Sequence, residues 1–265
     1  MLTGELSAYL DFARELALTA GEAILPHFRV PIEIENKGDA RNYDPVTEAD
    51  RGAERAIRER IASRYPSHRV RGEESGMSGG DSALTWVIDP IDGTRSFVLG
   101  QLHWGTLIGL NDGAKPVLGI MHQPFVGESF SAVAGGEATW TRRGERRRLR
   151  TRRCPRLDQA MLGCTTPDMF ETDAARAAFE RVRTRVRLTR FGSDCYGYCL
   201  LAMGLIDVVV ESDLQAYDVQ ALIPIVEAAG GTISRWDGSA CEEGGDVVAC
   251  GDQSLHREVL AVLAA

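Results

Sequence analysis

The sequence predicts an α/β protein made of two halves, an α+β half over residues 1–150 and an α/β half over residues 151–265. Three features point that way. Amphipathic helical spacing opens the chain, short strand-like segments crowd together from Trp86 to about Trp140, and helix-like and strand-like segments alternate after Thr151. Such alternation is the pattern of a sheet covered by helices. A length of 265 residues accommodates one large domain or two ordinary ones, at about 100–200 residues each.

Leu6, Leu10, Ala13, Leu16, Ala17, Ala20, Ile24 and Phe28 recur every three or four residues, which predicts a helix over residues 5–28 that Pro26 can close early. A polar stretch follows to Tyr43. Thr47-Glu48-Ala49-Asp50 has the form of a capping box, so a second helix opens there, aligns Ala53, Ile57 and Ile61, and stops before Pro66. Trp86–Asp89, Gly105–Leu110, Val117–His122 and Glu128–Val133 read as strands of an antiparallel sheet, separated by turn residues such as Asn111-Asp112-Gly113. The second half predicts a helix at Asp173–Arg183, a strand at Val186–Arg190 and a helix from Asp194. A strand at Ile206–Glu211, a helix at Tyr217–Ala229, strands at Thr232–Arg235 and Asp246–Cys250, and a closing helix from Gln253 complete it.

A net charge of −8 and a pI near 5.3 argue against a general nucleic-acid binder and against a coat for anionic membranes. Cys154, Cys164, Cys195, Cys199, Cys241 and Cys250 show neither a C-x-x-C pair nor a zinc spacing, and predict reduced, packed thiols of a cytoplasmic protein. Met1–Leu6 lacks a basic segment followed by a long apolar one, so no export signal is expected, and the longest apolar runs, around Val208–Val210 and Ala221–Val226, are too short for a membrane span. Arg142–Arg153 holds eight arginines. That run reads either as a phosphate or nucleic-acid patch or as a solvated hairpin edge. Because the chain has 28 arginines and two lysines, arginine is its ordinary cation, which favours the edge.

Candidate chemistry lies in three acidic elements: Gly72-Glu73-Glu74-Ser75-Gly76, Asp89-Pro90-Ile91-Asp92-Gly93-Thr94, and Asp218 at the opening of an apolar helix. Trp86-Val87-Ile88 delivers Asp89 to a strand end, Pro90 interrupts the ladder, and Gly93 permits a tight turn. Two carboxylates converging there repel unless one holds a proton or a hard divalent cation joins them. Gly93-Thr94-Arg95-Ser96 then offers amides and hydroxyls as a phosphate cradle. Taken alone, the fragment also reads as an acidic turn capping a helix. Joined to the other two elements, it implies metal-assisted phosphoryl chemistry. The five histidines are scattered, P-loop and G-x-G-x-x-G motifs are absent, and the one G-x-S-x-G string, Gly76–Gly80, falls in a glycine-rich turn rather than a nucleophile elbow, so direct attack by water fits better than a covalent intermediate.

Four segments, Asp44-Pro45-Val46-Thr47-Glu48-Ala49-Asp50, Gly72–Ser75, Trp86–Thr94 and Tyr217-Asp218-Val219-Gln220-Ala221 with the later Glu227–Gly231, resemble the inositol monophosphatase family across nearly the whole chain. The resemblance implies a layered αβαβα fold with the active site between the two halves, the first holding metal and phosphate and the second recognising substrate. It implies two or three Mg²⁺ ions on Glu73, Asp89, Asp92, Asp218 and the Ile91 carbonyl. Glu73, Asp50 and Thr94 are the implied catalytic residues, with Asp50 and Thr94 orienting or deprotonating the attacking water. The Gly93 and Thr94 amides would hold the phosphate. By its position alone Asp50 also reads as a simple helix cap. The resemblance further implies that Glu33–Tyr43 moves over the metals, bringing Lys37 toward the phosphate, and that the enzyme is a homodimer.

Several positions depart from the inositol-specific pattern. Gly93-Thr94-Arg95-Ser96-Phe97 stands where G-T-T-N-F is typical, Tyr217 where Trp is, and Gly192-Ser193-Asp194-Cys195 where G-T/S-A-A is. Trp104–Leu110, Pro116–Phe125 and Cys195–Tyr198 running into Ala221–Glu227 look instead like the histidinol-phosphatase branch, which yields L-histidinol in histidine biosynthesis. Asp194 and Glu211 would suit the ammonium of that substrate through charge-assisted hydrogen bonds. Cys195 and Asp218 would line the same site. Asp194 as a helix cap is the plainer alternative. The expected partner is therefore a small phosphate ester, with no nucleic acid and no membrane. Inositol 1-phosphate or a range of sugar phosphates is the nearest rival substrate. A 3′-phosphate of adenosine 3′,5′-bisphosphate and a role mainly in RNA or protein binding stand further off.

Overall fold

The computed structural model describes residues 3–37 and 45–265. Asp44 of the first motif and residues 38–43 of the Glu33–Tyr43 segment lie outside the described residues. In chain order the first part contains α1 (Thr3–Ile24), β1 (Glu35–Asn36), β2 (Pro45–Val46), α2 (Glu48–Arg64), β3 (Arg69–Gly72), β4 (Gly76–Gly79) and β5 (Thr85–Asp92). Then come α3 (Thr94–Val98), β6 (Gly105–Asn111), β7 (Pro116–Gln123), β8 (Glu128–Val133), β9 (Thr139–Arg142) and β10 (Glu145–Arg148). The second part contains β11 (Met161–Cys164), α4 (Asp173–Arg183), β12 (Leu188–Phe191), α5 (Cys195–Ala202) and β13 (Val208–Leu214). It ends with α6 (Ala216–Val219), α7 (Leu222–Ala228), β14 (Thr232–Arg235), β15 (Gly245–Cys250) and α8 (Gln253–Leu263).

Strand alternation sorts the core into layers. On β6 and β7, Ile108, Leu110, Leu118 and Ile120 face α1 and α2, while Leu107 and Met121 face α5 and α7. On β13 and β15, Val209, Val247 and Ala249 face that same α5–α7 layer, whereas Val208, Val210, Val248 and Cys250 face α4 and α8. Two sheets with period-two burial therefore need three helical layers, and the result is αβαβα. All six cysteines are free and buried, as packed thiols should be. Among the described residues no helix is long and apolar enough to cross a membrane.

The first sheet runs β10-β9-β8-β7-β6-β5-β3-β4. From β5 to β9 it is antiparallel, as expected of the Trp86–Trp140 block, while β3, which precedes that block, pairs with β5 in parallel. The second runs β12-β11-β13-β15-β14, parallel on one side and antiparallel on the other. The arginine run forms the β9–β10 edge hairpin, turning at Arg143 and Gly144, with every residue of β10 exposed.

Two local corrections bear on the site. Tyr217–Ala229 is not one helix but α6 and α7, broken around Gln220 and Ala221. Pro224 lacks the amide that would bond back to Gln220, and it is accommodated in the first turn of α7 instead. The strand before the central acidic motif does not stop at Asp89. It continues to Asp92 through an irregularity in its pairing with β6.

Candidate active site

The site is assembled where β5 loses its regular pairing. Asp89 Oδ1 accepts the Ile91 amide at 3.0 Å, which curls the chain and turns Asp92 toward its neighbours. Gly93 follows at φ 85°, a region that favours glycine, and a β-carbon there would stand 2.7 Å from the His103 carbonyl. Thr94 opens α3, its hydroxyl donating to the Ile91 carbonyl at 3.0 Å.

Asp218 arrives from α6 as the third residue of a four-residue helix, not at the head of a long one. Its Oδ2 accepts the Gln215 amide at 2.7 Å, closing a capping box with Gln215. Oxygen atoms of Asp89, Asp92 and Asp218 all lie within 4.8 Å of one another. Asp92 Oδ2 also accepts the Cys195 amide at 2.7 Å, so α5 is tied to the same cluster. The Cys195 thiol is buried beside the same carboxylate, and burial with the Asp92 charge pushes it well above the ordinary thiol range.

Glu73 sits in the turn between β3 and β4, close enough to Asp89 to reinforce by repulsion the rise that burial gives it. Lys37 Nζ bridges Glu73 and Glu74 at 2.8 Å each, so the described end of the Glu33–Tyr43 segment does reach the cluster. Glu54 fixes that turn from beneath: its carboxylate accepts the amides of Glu74 and Ser75 at 2.8 and 2.9 Å and the Arg58 guanidinium at 2.8 Å. Sequence reasoning passed over Glu54, although it stands one helical turn after Asp50 on α2.

Asp50 completes the predicted capping box, Oδ2 accepting both the Thr47 amide and hydroxyl at 2.8 and 2.6 Å. Its Oδ1 is buried with no hydrogen-bond partner among the described residues. A cap residue needs only the first oxygen, so the second is left for something else.

Electrostatics tell the same story. Burial pushes Asp89 well above the ordinary carboxylate range, reinforced by Glu73, Asp92 and Asp218. Burial does the same to Asp92, with Asp218 and Asp194 adding repulsion. Asp218 is pushed up to about 7 by burial, against the pull of the Gln215 amide. Glu73 is raised by burial, opposed by Lys37. Asp50 is raised to about 6 by burial, opposed by its bonds to Thr47. These anions cannot all hold charge so close together without a cation among them. The three aspartates form an oxygen-only donor set, and Glu73, itself raised by burial and by the charge of Asp50, acts electrostatically on Asp89 and Asp218 within it. The arrangement fits Mg²⁺.

A cleft of about 650 Å³ opens beside the cluster and is lined by Thr94, Asp168, Asp194, Glu211 and Asp218, among others. Glu211 is buried, accepting the Tyr198 hydroxyl at 2.9 Å and both the amide and hydroxyl of Thr165. Burial pushes it up to about 7, opposed by those donors. Asp194 does stand at the N-cap of α5, but it makes no capping bond; its Oδ2 accepts the Ser96 hydroxyl at 2.9 Å. The structure thus brings Asp194, Cys195, Glu211 and Asp218 to one cleft. It also reveals Ser96, Thr165 and Tyr198 as holders that no local spacing announced.

The model of the inositol monophosphatase family matches residues 5–265. The chloroplastic bifunctional phosphatase IMPL2 of Arabidopsis thaliana is 40% identical over 270 residues, covering 98% of this chain and 76% of that protein. A histidinol-phosphatase of Streptomyces coelicolor is 33% identical over 264 residues, covering 96% and 97%. Among solved structures, an inositol monophosphatase from Zymomonas mobilis superposes with a TM-score of 0.86 at 39% identity, covering 98% of each chain. With the layered fold, the acidic cluster and a match over almost its entire length, this chain belongs to the inositol monophosphatase family, a family of metal-dependent phosphatases.

Proposed function

We propose that the protein hydrolyses L-histidinol phosphate to L-histidinol and phosphate, a step of histidine biosynthesis. The carrying observation is the acidic lining of the cleft beside the phosphate loop, to which Asp194, Glu211, Asp168 and Glu171 all contribute. A cationic alcohol is held there by charge-assisted hydrogen bonds, to which a neutral polyol contributes less. Glu211 has three donors on its oxygens and about four acceptor sites, so it retains room for one more.

Glu73, Asp89, Asp92, Asp218 and the Ile91 carbonyl would hold two or three Mg²⁺ ions. When bound, Mg²⁺ acidifies the attacking water and offsets negative charge on the phosphoryl group. The chain itself does the rest. Gly93 and Thr94 hold the phosphate through their amides. Asp50, through its unpartnered Oδ1, and the Thr94 hydroxyl orient the attacking water and remove its proton. On this reading residues 1–150 supply phosphate binding and most of the metal ligands, residues 151–265 supply recognition, and Asp218 reaches across. An exposed apolar surface at Leu99 and Phe125, where Arg29 lies 5.0 Å over the Phe125 ring and donates to the Gly100 carbonyl, supports a homodimer. Sedimentation of the free protein as a monomer would remove that part of the reading.

Hydrolysis of inositol 1-phosphate, or of several sugar phosphates, is the second reading. The likeness to an inositol monophosphatase at 39% identity favours it. Steady-state kinetics on histidinol phosphate and inositol 1-phosphate separate the two. A kcat/KM at least tenfold higher for histidinol phosphate supports the first, and comparable values support the second.

A further inference from the structure

The Ser96–Asp194 hydrogen bond spans 98 residues and joins the phosphate loop to the recognition wall. Asp194 pays no attention to its own helix: an aspartate at an N-cap ordinarily accepts an amide of the first turn, and this one does not. Its backbone lies at φ 43° and ψ −143°, a conformation that costs on the order of a few RT for a residue with a β-carbon and persists only when its surroundings enforce it. Two contacts enforce it here. The next amide, of Cys195, is fixed on Asp92, and the side chain is fixed on Ser96. The Gly93 turn also packs against it, since a β-carbon at Gly93 would stand 3.2 Å from Asp194 Cβ and Cγ. The carboxylate is thereby turned away from its helix and onto the cleft wall.

We propose that Ser96 is a positioning residue for substrate recognition, its hydroxyl locking Asp194 in the orientation that meets the cationic end of the ester. This rests on the reading of Asp194 as a contact for that end. The loop that holds phosphate and the side chain that reads the alcohol then move as one unit, so a bound phosphate group fixes the distance at which the cation must lie. Ser96 itself touches neither the reacting atoms nor the ammonium.

The test compares wild type, Ser96→Ala, Ser96→Thr, Asp194→Asn and the double variant S96A/D194N on histidinol phosphate and inositol 1-phosphate, with Mg²⁺ present. Crystal structures of wild type and S96A accompany the kinetics. S96A should raise KM for histidinol phosphate about tenfold and lower kcat/KM for histidinol phosphate at least about fivefold more than for inositol 1-phosphate. S96T, which keeps the hydroxyl, should restore the wild-type KM, and S96A should add nothing to D194N. In the S96A crystal the Asp194 carboxylate should have left its wild-type position. An equal loss on both esters, wild-type kinetics in S96A, or an unmoved carboxylate overturns the proposal. If D194N leaves KM for histidinol phosphate unchanged, the reading of Asp194 fails and recognition through this pair falls with it. The S96A crystal separates that failure from a failure of the lock itself.

Discussion

Gly119 on β7 lies so close under Ala221 that a β-carbon on it would stand 1.8 Å from the Ala221 carbonyl oxygen. Its cross-strand partner Gly109 is nearly as tight, 3.2 Å from the Ala221 amide nitrogen. These glycines let the α6–α7 junction rest on the sheet, and that depth is what brings Asp218 within reach of Asp89 and Asp92. Gly119→Ala should therefore cost about 3 kcal/mol by overpacking. It should also lower kcat by moving Asp218. Urea unfolding and steady-state kinetics check it; a variant with wild-type stability and turnover would show that the close approach is not needed.

Glu54 is the buried support of the Glu73 turn. Glu54→Ala leaves the Arg58 Nε and two amides without their acceptor, and should cost about 3 kcal/mol of stability. Because Glu73 loses its foundation, calorimetric Mg²⁺ affinity should fall as well. Glu54→Gln keeps one acceptor and should fall between. Unchanged Mg²⁺ binding in E54Q and E54A would separate the turn from the metal.

Repulsion within the cluster predicts a trade between stability and activity. Asp218→Asn keeps an oxygen for the Gln215 amide but removes one charge. In chelator at pH 8 the variant should melt higher than wild type, while turnover with Mg²⁺ falls more than about a hundredfold. Lower melting in chelator would mean that the carboxylates do not strain one another.

His122 carries a pH signature of its own. Burial lowers it to about 4, against the Glu128 carbonyl. The unfolded chain takes up the proton near pH 6.5, so the stability that neutral His122 contributes is complete above that pH and is lost as pH falls toward 4. Its size is about 3 kcal/mol. The stability difference between wild type and His122→Gln should shrink by about that amount between pH 7 and 4. A difference constant with pH would refute it.

Elements with a strong local signal were legible in the sequence. Asp173–Arg183, Glu128–Val133 and Thr232–Arg235 fall where periodicity and turn residues put them, and Thr47 opens α2 with the expected box. β4 carried no such signal, since Gly76–Gly79 is wholly exposed and exists as a strand only because β3 pairs with it, and the equally exposed β10 was readable only as the hairpin edge that its arginines favoured. The break at Gln220–Ala221 was signalled by Pro224, which the apolar run concealed. Within the site, Asp89 and Asp92 are two residues apart and readable together. Ser96 with Asp194 and Thr165 with Glu211 meet across 98 and 46 residues, and only the folded chain joins them.

A carboxylate cluster that works by sharing Mg²⁺ makes phosphate release from histidinol phosphate depend on the metal, which is measured on protein stripped with chelator and then titrated with Mg²⁺. The stripped protein should show no turnover, and activity should return and saturate as Mg²⁺ is restored. Full turnover after exhaustive chelation would contradict that dependence.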